Sequence, residues 1–446
     1  MTDRTNQPAA QHASLCPPKL GLLLVVVLIV TALTEWLGPK SIPLGSASIV
    51  ILPMLFALAL TTALGVWYAR LPKALQLGVS LQRYADTLLA TALLLFIVKL
   101  GLMAGANMQA LREVGWALAF QELGHALGTM LFALPLALVL GIKREAVGAT
   151  FSIGRETAMV IIGQRYGLQS AEGRGVLAEY ITGTVLGAVY LSLLAGLIAG
   201  LGIFDIRSLA MGAGIGSGSM MAAALGPITA GQTPELAREL TAIAGAANLI
   251  AGVVGFYFAA YITLPVCNWL YGKLEPVLSQ NPIARNAPST NDLDPQLLDE
   301  HESTPRLADG VLALALMVAG IVLSNWIGHG VAPLQTLPGV AIMVGIVLLG
   351  LLLKHVVRKL PLMLFLALFA TFCTWAGGWP LAAKITALIN QVQFMSLTTT
   401  VLALAGFAVA RKLPMFRRLG WRIVLVSLTA ATGAFIGSAT IAELFH

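Results

Sequence analysis

Long runs of apolar residues alternate with short polar loops along almost the whole chain. A helix that crosses the hydrocarbon core of a bilayer needs about 20 apolar residues, and on that measure the sequence predicts about eleven transmembrane helices. Their approximate bounds are 20–38, 44–64, 87–106, 114–140, 176–201, 240–270, 308–327, 336–353, 360–378, 394–410 and 422–442. The pattern therefore predicts an all-α integral membrane protein.

The composition excludes several other classes of protein. Hydrophobic residues make up 58% of the chain and charged residues 11%, whereas a soluble domain carries roughly 25% charged residues. The net charge of +7 does not indicate a nucleic-acid partner, because the basic residues lie in loops between apolar runs. The cysteines are odd in number and lack CxxC spacing, which excludes a disulfide framework or a structural zinc site. No cofactor is predicted.

The loops predict an orientation, because cytoplasmic loops retain an excess of Lys and Arg. With the N-terminus inside, 20 of the 27 basic residues fall on the cytoplasmic side and five outside. We therefore expect a cytoplasmic N-terminus (1–19) and a C-terminus outside.

One hydrophilic stretch divides the membrane part. Residues 273–306 carry five prolines and lack apolar periodicity, so they are interpreted as a cytoplasmic linker. The linker separates a six-span part (20–272) from a five-span part (307–446), which could act as a scaffold holding a homodimer.

Two further apolar segments are interrupted at their centres. Residues 146–163 are broken by polar residues, and residues 208–226 contain glycine at alternate positions. Non-helical backbone at membrane depth is tolerated where it is packed in protein or lines a watery cavity. Basic residues flank the two segments on opposite sides, which favours two re-entrant hairpins, one from each face, over broken spanning helices.

Each break would place the N-terminus of a half-helix inside the membrane, where its free N–H groups and positive dipole end attract an anion. Paired breaks of this kind point to the substrate site of a secondary transporter. The alternative is close helix packing through small residues. The predicted substrate-binding residues are Ser152, Gly154, Arg155, Glu156, Thr157, Gly214, Gly216, Ser217, Gly218, Ser219 and Asn248. Asn248 on the sixth span could approach the second break or form an ordinary interhelical hydrogen bond, and Glu179 is expected at the membrane interface.

Ionisable side chains at bilayer depth are costly and usually face a cavity or a partner. Glu122 and His125 share one face of the fourth span, so they could carry a coupling proton or form a static polar contact between helices. Arg155 could grip a substrate carboxylate or pair with Glu156. Lys99 is expected to extend outward along its stem to the membrane surface.

The order of the two breaks and the flanking spans, with Gly212-Ala213-Gly214-Ile215-Gly216-Ser217-Gly218-Ser219 as the second break, resembles the cation:proton antiporter/anion transporter superfamily over residues 85–270. Within it the arrangement is similar to the murein-hydrolase exporters with their plastid glycolate/glycerate relatives, and to the 2-hydroxycarboxylate and glutamate:sodium symporters. The nearest resemblance is to an uncharacterised bacterial inner-membrane family of that superfamily. The resemblance implies an elevator-type or rocking transporter for small anions in the inner membrane.

Three classes of function follow. The first is a secondary transporter that couples a small organic anion, a carboxylate in class, to H⁺ or Na⁺. The second is a non-transporting regulator or pore. The third, an intramembrane enzyme, is disfavoured because the sequence shows no nucleophile–base or metal constellation, and no Walker A motif supports ATP-driven transport.

Overall fold

The computed structural model describes residues 17–44, 47–67, 79–167, 170–279, 307–357, 362–375, 379–417 and 419–445. These residues are helical apart from loops and one two-stranded hairpin. The α-helices, numbered along the described chain, are α1 (Pro17–Leu37), α2 (Pro53–Trp67), α3 (Val79–Ala106), α4 (Met108–Val139), α5 (Glu145–Thr150), α6 (Arg155–Arg165), α7 (Ala171–Thr182), α8 (Ala188–Leu201), α9 (Ile206–Ala213), α10 (Gly218–Thr229), α11 (Pro234–Phe258), α12 (Leu264–Leu278), α13 (Leu307–His329), α14 (Pro333–Val356), α15 (Leu362–Thr374), α16 (Ala382–Ile389), α17 (Phe394–Phe416) and α18 (Trp421–Glu443). Two π-helical segments, π1 (Gly183–Gly187) and π2 (Ala259–Thr263), join α7 to α8 and α11 to α12.

The predicted membrane class is confirmed. Within the described residues, seven helices are long and apolar enough to cross a membrane, and the helical run from α11 to α12, bent by 42° within α11 near residue 253, makes an eighth candidate. Three of the predicted spans correspond to shorter apolar helices, which are α2, the segment Thr91–Ala106 of α3, and α15. Exposed tryptophans at helix ends, such as Trp36, Trp67 and Trp421, are typical of the two membrane interfaces.

The start of the second predicted span was wrong. Residues Lys40–Leu44 (β1) and Ala47–Ile51 (β2) form an antiparallel pair in which Lys40 lies opposite Ile51. Pro43 lacks a backbone N–H, and the β-branched residues around it favour a strand. The helix therefore begins only at Pro53, in its first turn, where a proline is well tolerated.

The C-terminal helices pack directly against the N-terminal part. Gly124 and Gly128 of α4 lie against Gly437 and Gly433 of α18 so closely that a Cβ on any of them would collide with the facing backbone. This is the small-xxx-small packing of membrane helices on both partners. α17 packs on α2 in the same way, with Gly406 against the side chain of Thr61.

The predicted linker is partly helical, because α12 continues to Leu278. Its remaining residues, 280–306, lie outside the described part of the chain. The role of 307–446 as a scaffold stays a prediction, and α18 contacts α4, α5, α7 and α9 of the N-terminal part.

The first interrupted segment is a re-entrant hairpin, which we call hairpin 1 (residues 145–165). The guanidinium carbon of Arg144, just before α5, lies 5.9 Å from the ring centroid of Tyr166, just after α6. Asn268 of α12 accepts a hydrogen bond from Arg144 at 2.5 Å and donates one to the Tyr166 hydroxyl at 3.0 Å. The two ends of the segment therefore emerge on the same side of the protein.

The second interrupted segment, hairpin 2 (residues 206–229), also returns to its starting side. Arg207, at the start of α9, forms an ion pair with Glu239 of α11 at 2.5 Å. α11 begins at Pro234, only a short loop after α10 ends at Thr229. Both ends of hairpin 2 therefore lie beside the start of α11.

The two hairpins enter from opposite sides. The continuous helical run α7–π1–α8 covers 31 residues and begins just after hairpin 1 and ends just before hairpin 2. A helical run of that length extends over more than the thickness of a bilayer core. Each hairpin is followed by a long helix with a π-turn, so the chain repeats one unit in inverted orientation.

Candidate functional site

The break in hairpin 1 spans residues 151–154, between the end of α5 and the start of α6. The Ser152 hydroxyl accepts a hydrogen bond from the Gly154 N–H at 3.1 Å, and the Thr157 hydroxyl donates to the Gly154 carbonyl at 2.7 Å. The N-cap residue of α6 is Gly154, and among the described side chains none caps this helix. The first N–H groups of a helix have no partner within the helix and can bind an anion.

Arg155 and Glu156 occupy the first two positions of α6. Their side chains lie outside the described part of the structure. The substrate contact of Arg155, and its alternative ion pair with Glu156, both stay predictions.

The break in hairpin 2 spans residues 214–217. Gly216 adopts φ +71°, a left-handed conformation that glycine takes without strain. Ser217 is the N-cap of α10, accepts a hydrogen bond from the Met220 N–H at 3.4 Å, and lies 3.1 Å from the Ser219 hydroxyl. The N-terminus of α10 is therefore capped by the side chain of Ser217.

Asn248 of α11 lies against this second break. Its side-chain amide donates hydrogen bonds to the carbonyls of Gly214 at 2.8 Å and Gly216 at 3.1 Å. These two hydrogen bonds satisfy carbonyls that the interruption of the helix releases. The predicted approach of Asn248 to the break is confirmed, while a role in ligand binding stays a prediction.

The two breaks meet inside the protein. Ile153 Cδ1 lies 3.8 Å from the position that a Cβ on Gly216 would occupy. The Met220 side chain packs on Gly187 of π1, and the ring of Phe96 covers Gly218 at the start of α10. π-turns of this kind are frequent at functional sites. The junction is therefore built by both hairpins, π1 and α3.

Several polar residues at the junction are partly exposed, whereas Ser152 and Gly214 are buried. Ile153 and Ile215 are fully buried, whereas Gly154, Thr157 and the stretch 216–219 are partly exposed, as is Asn248. An apolar wall with a few convergent polar groups is typical of a small-molecule site.

Glu122 and His125 form the pair that their spacing predicts. His125 Nδ1 lies 3.1 Å from Glu122 Oε1, and each residue is about 5% exposed. Within the described structure, Glu122 Oε2 and His125 Nε2 are buried without a hydrogen-bond partner. The pair faces Gly255, about two turns along α11 from Asn248 and beyond a bend of 42°. Both the proton-carrying role and the static contact stay open.

The expectation for Lys99 was wrong. Lys99 is 2% exposed, and its ammonium donates a hydrogen bond to the Ile389 carbonyl at 2.8 Å. Ile389 is the last residue of α16, so the lysine binds the negative end of that helix instead of reaching the membrane surface.

Sequence reasoning missed three buried polar side chains. Glu35 is 5% exposed near the end of α1, and Glu179 is 2% exposed on α7 although its position suggested an interface. Lys412 on α17 is 6% exposed and donates to the Tyr180 hydroxyl at 2.8 Å. The sequence offered one sign that Glu35 is buried in the membrane part: it is the single acidic residue of an otherwise apolar span, next to Trp36.

These features define a multi-pass helical membrane protein with two hairpins that meet from opposite sides. The profile of a family described as protein of unknown function (DUF3100) matches residues 32–273, more than half of the 446 residues. The chain therefore belongs to the DUF3100 family. No curated protein and no solved structure matches it significantly. Both hairpins, the Glu122–His125 pair and Asn248 lie within the matched range.

Proposed function

We propose that this protein is a secondary active transporter of a small organic anion, a carboxylate in class, coupled to H⁺ or Na⁺. One observation carries the proposal: the breaks of two oppositely directed hairpins are in contact, with Ile153 against Gly216. In transporters built from inverted repeats, substrate sites lie where such interrupted helices meet. Each hairpin would then open and close the site toward one side of the membrane.

The junction favours an anion. The N-termini of α6 and α10 begin at Arg155 and Gly218, directly after the two breaks. Their N–H groups and dipoles present positive potential at this point. Asn248 occupies carbonyls that would otherwise oppose an anion. A carboxylate is small enough to accept hydrogen bonds from one helix N-terminus while its substituents contact the apolar wall.

The coupling ion would act at a different place from the substrate. Glu122 and His125 lie on the far side of the α11 bend, so proton exchange there could change how α4 packs against α11. Movement of α11 would in turn reach Asn248 and hairpin 2. We further propose the cytoplasmic N-terminus, the outside C-terminus and the bacterial inner membrane as its setting.

Solute flux in proteoliposomes tests the proposal. Purified protein is first screened for solutes that raise its melting temperature, because a ligand that binds the folded state stabilises it by mass action. Saturable accumulation of a stabilising carboxylate, driven by an imposed H⁺ or Na⁺ gradient, is the expected result. Non-saturable leakage would indicate a pore, and a complete lack of flux with intact protein would favour a regulator.

A further inference from the structure

A small cavity, mostly apolar but lined by one carboxylate, lies away from the hairpin junction, where α1 and α13 both end. Glu35, Gly38 and Pro39 line it from the end of α1, and Gly328 and His329 line it from the end of α13. The remaining lining residues come from the start of α2 and from α17, and they are Leu52, Pro53, Met54, Met395 and Thr399.

Glu35 is the one acid of this lining. Ser324 donates a hydrogen bond to Glu35 Oε1 at 2.7 Å, and Thr399 is a second hydroxyl within hydrogen-bond reach. The carboxylate is only 5% exposed. In the described part of the chain, no Lys or Arg forms an ion pair with it. The other titratable group of the lining is His329. A buried carboxylate held by hydroxyls alone is costly unless it gains a proton or a cation.

The helix ends add to the negative potential. α1 ends at Leu37 before Gly38 with φ +67°, and α13 ends at His329 before Gly330 with φ +69°. The last carbonyls of a helix lack partners within that helix, and its C-terminus carries partial negative charge. Two such ends and one carboxylate converge on the same cavity.

We propose that this cavity is a binding site for a monovalent metal cation of the Na⁺ type, with Glu35 as its anionic ligand. The Ser324 and Thr399 hydroxyls and the carbonyls at the two helix ends supply the oxygen ligands that hard cations and Na⁺ sites use. Among the described residues no cluster of three His, Cys, Asp or Glu side chains could hold a transition metal.

Two residues of the cavity lining also pack against hairpin 2. Leu52 and Met54 line it on one face and on the other pack against Gly226 of α10. Gly226 lies about 12 Å along α10 from Gly218 at the junction. A cation that draws the cavity wall inward would therefore change the support of hairpin 2. This coupling step rests on the proposed transport function, whereas cation binding itself does not.

Thermal unfolding of the purified full chain tests the binding step without any solute. The probe is NaCl, compared with choline chloride at the same ionic strength, over pH 6 to 8. We expect the melting temperature of the wild type to rise by about 2 °C or more between low and saturating Na⁺. The Glu35→Gln variant should lose this rise while retaining a cooperative transition.

A glycine pair on α13 provides the matched control. A Cβ on Gly328 would collide with Glu35 Oε2, whereas nothing lies within 4 Å of a Cβ on Gly310. Gly328→Ala should therefore weaken the Na⁺ response several-fold, and Gly310→Ala should leave it unchanged. This pair keeps the test valid even if Glu35→Gln fails to fold.

Three outcomes would overturn the proposal. They are an unchanged Na⁺ response in Glu35→Gln, equal responses in the two glycine variants, and a wild type that responds to pH but not to Na⁺. The last result would mean that Glu35 holds a proton. A chain that binds Na⁺ here and moves no solute would refute the transport function while leaving the cation site intact.

Discussion

Hairpins 1 and 2 each interrupt a helix inside the protein, but the side chains around the two breaks differ. In hairpin 2 the broken backbone is satisfied from within, since Ser217 caps α10 and Asn248 binds the released carbonyls. In hairpin 1 the α6 N-terminus has no side-chain cap and begins with Arg155 and Glu156. Side chains therefore satisfy the break in hairpin 2, whereas the described side chains of hairpin 1 give α6 no N-cap.

Ion pairs hold the base of each hairpin, to α11 in hairpin 2 and to α7 in hairpin 1. Hairpin 1 is tied to α7 by two ion pairs, Arg144–Glu172 at 2.7 Å and Arg174–Glu145 at 2.8 Å. Gly148 and Gly175 bring the backbones of α5 and α7 into direct contact. Hairpin 1 is thus held to α7 at its base. If the proposed function is correct, hairpin 2 forms one wall of the site, and the bound anion accepts hydrogen bonds from the N-terminus of α6 in hairpin 1.

The largest expected effect comes from removing the internal support of hairpin 2. Asn248→Leu removes the donor from the carbonyls of buried Gly214 and partly exposed Gly216, and an unsatisfied buried group costs about 1–3 kcal/mol. We expect solute affinity to fall by roughly 30-fold or more, measured by ligand-induced thermal stabilisation.

Asn325→Leu is the control for that change. Asn325 is buried and its amide donates to the Gln391 carbonyl at 2.7 Å, far along the sequence from both breaks. It should lower stability without a comparable loss of affinity. Equal losses of affinity in the two variants would contradict the assignment of hairpin 2 as the wall of the site.

The next effect concerns the N-terminus of α6 in hairpin 1. Arg155→Lys keeps the charge but removes the planar fork, so a bidentate contact should weaken by about 1–3 kcal/mol. That corresponds to roughly 5- to 150-fold in affinity. Arg155→Gln should fold and insert as well but lose more binding. Wild-type affinity in both variants would mean that backbone N–H groups alone bind the anion.

A third prediction tests whether Glu122 and His125, which lie beyond the bend in α11, couple proton movement to solute uptake. If Glu122 and His125 carry the coupling proton, Glu122→Gln should abolish stimulation of uptake by a pH gradient, which is worth up to about tenfold per pH unit. Solute binding at the hairpins should survive. Uptake that still follows the imposed pH gradient would assign the pair a static role.

The smallest expected effect tests how tightly hairpin 2 is packed. A Cβ on Gly218 would lie 3.0 Å from Phe96 Cε1, so Gly218→Ala should cost about 1 kcal/mol, or roughly fivefold in affinity. Phe96→Leu in the same chain should restore part of the loss by making room. A double variant as weak as Gly218→Ala would show that the steric contact is not the cause.

The sequence determined the features that depend on local composition. Hydropathy located the helices because apolar length is a local property, and the interruptions at 151–154 and 214–217 fall inside the two segments that glycine and polar residues predicted. The predicted contact of Asn248 with the second break also followed, since it required only two neighbouring elements. The prediction of a helix was wrong at residues 44–52, which include part of a β-hairpin. Hydropathy alone does not distinguish a hairpin of β-branched residues from a helix.

Only the tertiary structure decided which distant elements meet. Contact between Ile153 and Gly216 depends on how two hairpins dock from opposite sides. The burial of Lys99 depends on the end of α16, nearly three hundred residues further along the chain. The cavity at Glu35 requires the ends of α1 and α13 to converge. In a membrane, small-residue contacts and interhelical hydrogen bonds choose the partners of each helix, and these are pairwise properties that no single segment encodes.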